Sequence, residues 1–163
     1  MGRESLFGPD RICAVVAAPR AQEMARQLRR ALRLTRTVEL RLDWLKGNRE
    51  IVRLLSWLRV HRPRATLIAT CRRRLAGGKF SGGVAEQLAV LMTAVAAGCT
   101  WCDVELETAQ RLRPGGLQSM LGRGLISWHD FRRTPASFRA VLHGLERCRG
   151  DAIKVATQCD TLG

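Results

Sequence analysis

The chain has 163 residues, 46% of them hydrophobic, which excludes a disordered polymer and supplies one domain with a core. No run of roughly eighteen apolar residues occurs and Met1 to Asp10 lacks a signal-peptide core, so a cytosolic protein without a membrane span is expected. The net charge of +14, from 28 Lys+Arg against 14 Asp+Glu, is a footprint that nucleic-acid binding and anionic-metabolite sites share.

Short apolar runs alternate with helical stripes. Arg11 to Ala17 reads as a strand, and Gln22 to Leu34 carries Met24, Leu28, Ala31 and Leu32 at helical spacing. Thr37 to Leu42 alternates as a strand does. Asn48 is placed to cap a helix marked by Ile51, Leu54, Leu55 and Leu58, which ends before Pro63. Thr66 to Cys71 is a third strand, and Gly77-Gly78 and Gly82-Gly83 bracket a loop. Val84 to Ala97 is an apolar helix closed by Gly98. Trp101 to Leu106 is a fourth strand, followed by a weak helix over Ala109 to Leu121 that Pro114-Gly115-Gly116 interrupts. Leu125 to Trp128 is a fifth strand. Thr134 as cap and Pro135 at the first position open a helix through Phe138, Val141, Leu142 and Leu145. Ala152 to Ala156 is a sixth strand.

This alternation implies a parallel sheet with right-handed crossovers, either doubly wound or a (β/α)8 barrel. No G-x-G-x-x-G follows the first strand, which counts against a dinucleotide site. Cys99 and Cys102 form a C-x-x-C, but no second ligand pair accompanies them. All six cysteines are expected to be free structural thiols.

Strand parity separates the two models. Glu39 and Arg41 share one side of their strand, Thr70 and Arg72 theirs, Asp103 and Glu105 theirs, and Ser127 and His129 theirs; Lys154 stands between Ile153 and Val155. A sheet covered by helices on both faces would be apolar on both. A barrel instead turns such a polar side into its lumen, where charged groups near strand C-termini do chemistry. The bland alternative is a structural ion network in which Glu39, Asp103 and Glu105 balance Arg41, Arg72 and Lys154. That network explains neither an imidazole nor a lone amine in the set. Only Lys46, Lys79 and Lys154 are lysines, and burial among apolar residues and cations is expected to keep the Lys154 amine free. A free amine attacks a ketone to form an iminium, which acidifies the neighbouring C–H. His129 is the candidate to take that proton and return it to a leaving hydroxyl.

Six stretches occur in order: Val38-Glu-Leu-Arg-Leu-Asp43, Ile68-Ala-Thr-Cys-Arg72, Gly77-Gly78, Cys102-Asp-Val-Glu-Leu106, Ile126-Ser-Trp-His-Asp-Phe131 and Asp151-Ala-Ile-Lys-Val-Ala156. Together they resemble type I 3-dehydroquinate dehydratase of the shikimate pathway, over nearly the whole chain. The resemblance implies a (β/α)8 barrel that dehydrates 3-dehydroquinate to 3-dehydroshikimate with no metal or organic cofactor. It implies Lys154 as the Schiff-base lysine and His129 as general acid/base, with Glu39, Arg41 and Arg72 holding the substrate. It implies a small-molecule partner, with no nucleic acid and no membrane; a homodimer is compatible with the sequence, which does not set the oligomeric state.

Two departures stand out. The family carries a glutamate just before Gly-Gly that orients the histidine, whereas Leu75 and Ala76 stand there in this chain. Asp103 or Glu105 is the expected substitute. The chain also shows about six βα units where a closed barrel needs eight. It is therefore expected to be a fragment or segment of a longer enzyme, and inactive or poorly folded alone. Rival readings are a class I aldolase-type lyase, an inactive remnant of the dehydratase, and an arginine-rich nucleic-acid module. The polar strand register counts against the last.

Overall fold

The computed structural model describes residues 12–112 and 116–158. Its strands are β1 (Cys13–Val16), β2 (Thr37–Arg41), β3 (Thr66–Thr70), β4 (Trp101–Glu105), β5 (Arg123–Asp130) and β6 (Ala152–Thr157). Its helices are α1 (Ala21–Ala31), α2 (Asn48–His61), α3 (Val84–Ala96), α4 (Leu106–Ala109), α5 (Gly116–Leu121) and α6 (Arg139–Arg147). The six strands are hydrogen-bonded in chain order, each parallel to the next. A doubly wound sheet would reverse its order at a switch point. This sheet never reverses, and it curls as the wall of a (β/α)8-type barrel with six strands described. No helix among the described residues is long and apolar enough to cross a membrane.

The outer face of the sheet is the main core. Val38 and Leu40, Leu67 and Ala69, Cys102 and Val104, and Ile126 meet Met24 and Leu28 of α1, Leu54 and Leu58 of α2, Leu91 of α3 and Leu145 of α6. The stripes read from the sequence for α1 and α2 are thus packed faces, whereas of the last stripe only Leu145 is buried: Leu142 is exposed and Phe138 precedes α6. The inner face has a separate small apolar layer of Ile68, Trp101 and Leu125, with Cys13 and Ala152 against it. That layer floors the inner side near the strand N-termini. Beyond it the same faces turn polar.

Helix starts depart from expectation. Gly47, not Asn48, is the capping position of α2, because its φ of +79° allows the sharp turn in which its N–H donates to Leu45 O at 2.9 Å. The Thr134-Pro135 start is also corrected: α6 begins at Arg139, whose N–H is received by the Ser137 hydroxyl. The Thr134 hydroxyl donates instead to the Gln158 carbonyl and shares a hydrogen bond with the Thr157 hydroxyl, 3.0 Å between oxygens, which ties the loop to the end of β6. The expected weak helix over Ala109 to Leu121 is two short ones, α4 and α5. Pro114 and Gly115, the expected interruption, lie outside the described residues, as do Arg11 and Cys159. Gly98, at φ +112°, ends α3 as expected. The thiols of Cys71, Cys99 and Cys102 are free and buried. Burial pushes Cys99 and Cys102 up to about 12, so neither is a ready thiolate.

Candidate active site

Strand register brings every sequence-predicted residue to one face. Glu39 pairs across the ladder with Ile68, Arg41 with Thr70, Thr70 with Asp103, Glu105 with Ser127, Ser127 with Lys154, and His129 with Ala156. Opposed residues in a parallel ladder point the same way. Glu39, Arg41, Thr70, Asp103, Glu105, Ser127, His129 and Lys154 therefore share the inner face, and Arg72, just past β3, joins them through its bond to Asp103.

The amine of Lys154 lies between two carboxylates. Nζ donates to Glu39 Oε2 at 3.1 Å and to Asp103 Oδ2 at 3.4 Å. The sequence reading expected a lone amine among cations, and this is the correction: both buried acids need a cation, and β6 brings one to them. Glu39 is further held by the Thr70 hydroxyl at 2.9 Å. Asp103 also accepts from Arg72 Nη2 at 3.2 Å and from the Ser127 hydroxyl. The structural ion network is thus real, and the candidate nucleophile is part of it. One third of the Lys154 side chain is exposed, against 8% for Glu39 and 1% for Asp103. The amine is the wet end of a chain of buried charges.

His129 sits on β5 beside this network. Its pKa is pushed down from 6.5 to about 3, first by burial and then by the positive charges of Arg72 and Lys154. The ring is therefore a neutral imidazole at physiological pH and can accept a proton. Its Nδ1 is buried and has no hydrogen-bond partner. Neither expected substitute orients it: Asp103 is committed as above, and Glu105 accepts the Arg73 N–H at 2.9 Å and the Gln87 side-chain amide. The Phe131 ring lies against the imidazole, 5.6 Å between centroids.

Three partners were not picked out from the sequence. Asp43 accepts both Arg41 Nε and Nη2 at 2.9 Å. Gln87 is fully buried in α3 and joins Cys71 O, Glu105 and Thr108. Ser127 was placed on the right face but given no partner. A polar Gln87 within the apolar stripe of α3 was the available signal. Gly78 is the tightest backbone approach near the site, since a Cβ there would stand 2.0 Å from Arg72 O. Gly78→Ala is expected to cost about 3 kcal/mol, read as a lowered urea midpoint at unchanged slope.

The family described as type I 3-dehydroquinase matches this chain over residues 12–163. A 3-dehydroquinate dehydratase of Coxiella burnetii is 28% identical over 159 residues, covering 95% of this chain and 65% of its own length. The corresponding protein of Dehalococcoides mccartyi is 31% identical over 163 residues, covering 94% and 65%. The crystal structure of 3-dehydroquinate dehydratase from Geobacillus kaustophilus matches with a TM-score of 0.78 at 22% identity, over 91% of this chain and 62% of that one. A type I enzyme from Clostridium difficile matches with a TM-score of 0.76 at 17% identity, over 91% and 63%. This chain spans 65% of the length of these two curated relatives. Six ordered motifs, a parallel sheet in chain order and a profile running from the first strand to Gly163 lead to one conclusion: the chain belongs to the type I 3-dehydroquinase family.

Proposed function

We propose that this chain carries the Schiff-base half of a 3-dehydroquinate dehydratase site, with Lys154 as nucleophile and His129 as general acid/base. The observation that carries the reading is the shared inner face of β5 and β6, which presents an amine and a neutral imidazole beside two guanidinium groups. Glu39, Arg41 and Arg72 hold the substrate in this reading.

The amine attacks as the free base. Glu39 and Asp103, at 3.1 and 3.4 Å, are placed to take its proton. Attack on the ketone carbon gives a carbinolamine, and loss of water gives an iminium. The iminium draws electron density from the neighbouring C–H bond. Neutral His129 takes that proton, and the electron pair becomes an enamine. The enamine then expels the β-hydroxyl, which His129 protonates to water. Hydrolysis of the remaining imine frees Lys154 and the product. Each step is a proton transfer, an addition to C=O or C=N or its reverse, or loss of the β-hydroxyl as water, so the reaction calls for no cofactor.

Charge favours the central step. A cation on Lys154 is one of the groups that hold the His129 pKa down. Forming the enamine removes the iminium charge just as the imidazole gains its own. The base is thus strengthened when it receives its proton. Free thiols at Cys71, Cys99 and Cys102 support a reading in which the reaction runs in a reducing compartment, the cytoplasm.

A second reading, an inactive remnant, has two observations in its favour: Nδ1 of His129 is buried without a hydrogen-bond partner, and Ala76 stands before Gly77. Borohydride reduction of the chain in the presence of 3-dehydroquinate tests the primary reading. A mass increase equal to one reduced adduct is expected. No adduct on the folded chain would overturn it. An adduct without product release would favour the remnant.

A further inference from the structure

We propose that Asp43 is a positioning residue that sets the two substrate-holding arginines, Arg41 directly and Arg72 through the turn that follows β3. The inference rests on the dehydratase reading for its substrate, and on geometry alone for the positioning.

Asp43 lies in a single 3-10 turn, Leu42–Trp44, directly after β2. Its side chain has no exposed surface, whereas 16% of the Arg41 side chain is exposed. Arg41 Nε donates to Oδ1 and Nη2 to Oδ2, both at 2.9 Å. Two parallel bonds fix the plane of a guanidinium as well as its position. They leave the Nη1 hydrogens of Arg41 for a substrate oxygen. Burial works against the Arg41 charge, but the carboxylates of Asp43, Glu39 and Asp103 together, Asp43 first, raise the pKa above its ordinary value.

The same carboxylate reaches the next loop. Oδ2 accepts the Lys79 backbone N–H at 3.1 Å. The neighbouring Trp44 receives the Lys79 ammonium on its ring face, 3.4 Å from the centroid. The turn after β2 therefore grips the turn after β3 at both ends of one lysine. That second turn is closed on Arg72: Phe80 N–H donates to Arg72 O at 3.0 Å, and Gly78 leaves no room for a side chain against the same carbonyl. The Arg72 head is held by Asp103 at 3.2 Å. Loss of the Asp43 carboxylate would release Arg41 at once and loosen the backbone under Arg72. Lys154 and His129 take no bond from Asp43, so the chemistry itself should be spared.

Asp43→Asn keeps the volume and removes one of the two acceptor oxygens; Asp43→Glu keeps the charge. The test is reductive trapping of 3-dehydroquinate with borohydride as a function of substrate concentration, alongside a thermal melt. For Asp43→Asn the half-saturating concentration is expected to rise about tenfold, while the maximal trapping rate stays within about threefold. Asp43→Glu is expected to recover part of the loss, and it carries the test if Asp43→Asn does not fold. An unchanged half-saturation in a folded variant would overturn the proposal, as would a fall in maximal rate alone. If the natural chain itself traps nothing, the dehydratase reading fails, and the Arg41 Nε–H resonance still decides the positioning. It should be slow to exchange with solvent in the natural chain and fast in Asp43→Asn; equal exchange would overturn it.

Discussion

Lys154→Met is expected to abolish the borohydride-trapped adduct and to lower any dehydration rate by about 10⁴-fold or more, as removal of a covalent nucleophile does. Methionine keeps the length of the side chain and removes the amine. The readout is the intact mass after reduction, with lost turnover where the natural chain turns over. A separate cost falls on stability. Glu39 loses its hydrogen-bonded cation, whereas Asp103 keeps Arg72. Breaking a fully buried pair costs several kcal/mol, but one third of the Lys154 side chain is wet. The expected loss is therefore only about 1–2 kcal/mol. A folded variant that cannot be trapped separates the chemical role from the structural one.

His129→Gln should act on the later step. The adduct at Lys154 should still form, because attack needs only the free amine. Removal of the C–H proton and protonation of the leaving hydroxyl should slow about 10²–10⁴-fold. Trapping yield is thus expected to persist while product formation falls, the reverse of a substitution that merely unfolds the site.

The same residue makes stability depend on pH. The folded pKa of about 3 lies below the ordinary 6.5, so the unfolded chain binds the extra proton between those values. Stability from neutral His129 is complete above pH 6.5 and declines as pH falls toward 3. Urea midpoints at pH 7 and pH 4.5 should differ less in His129→Gln than in the natural chain. Equal differences in both would mean that the imidazole is not buried among cations.

The faces of the strands were legible because side chains alternate strictly along a strand. Five successive strands with Glu39, Arg41, Thr70, Asp103, Ser127, His129 and Lys154 in phase, and Arg72 just past the third, can only make one polar side. Helix faces of α1 and α2 were legible for the same reason: Met24, Leu28, Leu54 and Leu58 repeat with the turn of the helix and are fully buried. Partnerships were not legible. The carboxylate that meets Lys154 depends on how β2, β4 and β6 are staggered, and β6 lies 115 residues after Glu39 in the chain. Helix starts failed where a tertiary contact outbid a local one. Thr134 has the chemistry of a cap, but Thr157 and Gln158 take its hydroxyl. Asp43 was seen only as the last residue of a motif, because its value lies in what folds back onto it from Lys79.

The partners also show how the site is built. The buried acids lie on β2 and β4, and the proposed base and nucleophile on β5 and β6. Arg72 and Lys154 share one oxygen of Asp103, so that carboxylate serves the arginine proposed to hold substrate and the proposed nucleophile together. Asp103→Asn should disturb both at once, which sets it apart from Asp43→Asn.

The most direct test needs no substrate. The ring of His129 can be followed by NMR as pH is lowered, in the natural chain and in Lys154→Met. The natural chain should titrate near pH 3, and the variant at a higher pH, because removal of the Lys154 cation lifts one of the charges that oppose protonation. A His129 that titrates near 6.5 and does not respond to the substitution would contradict the account, since the imidazole and the amine would then not share a cavity.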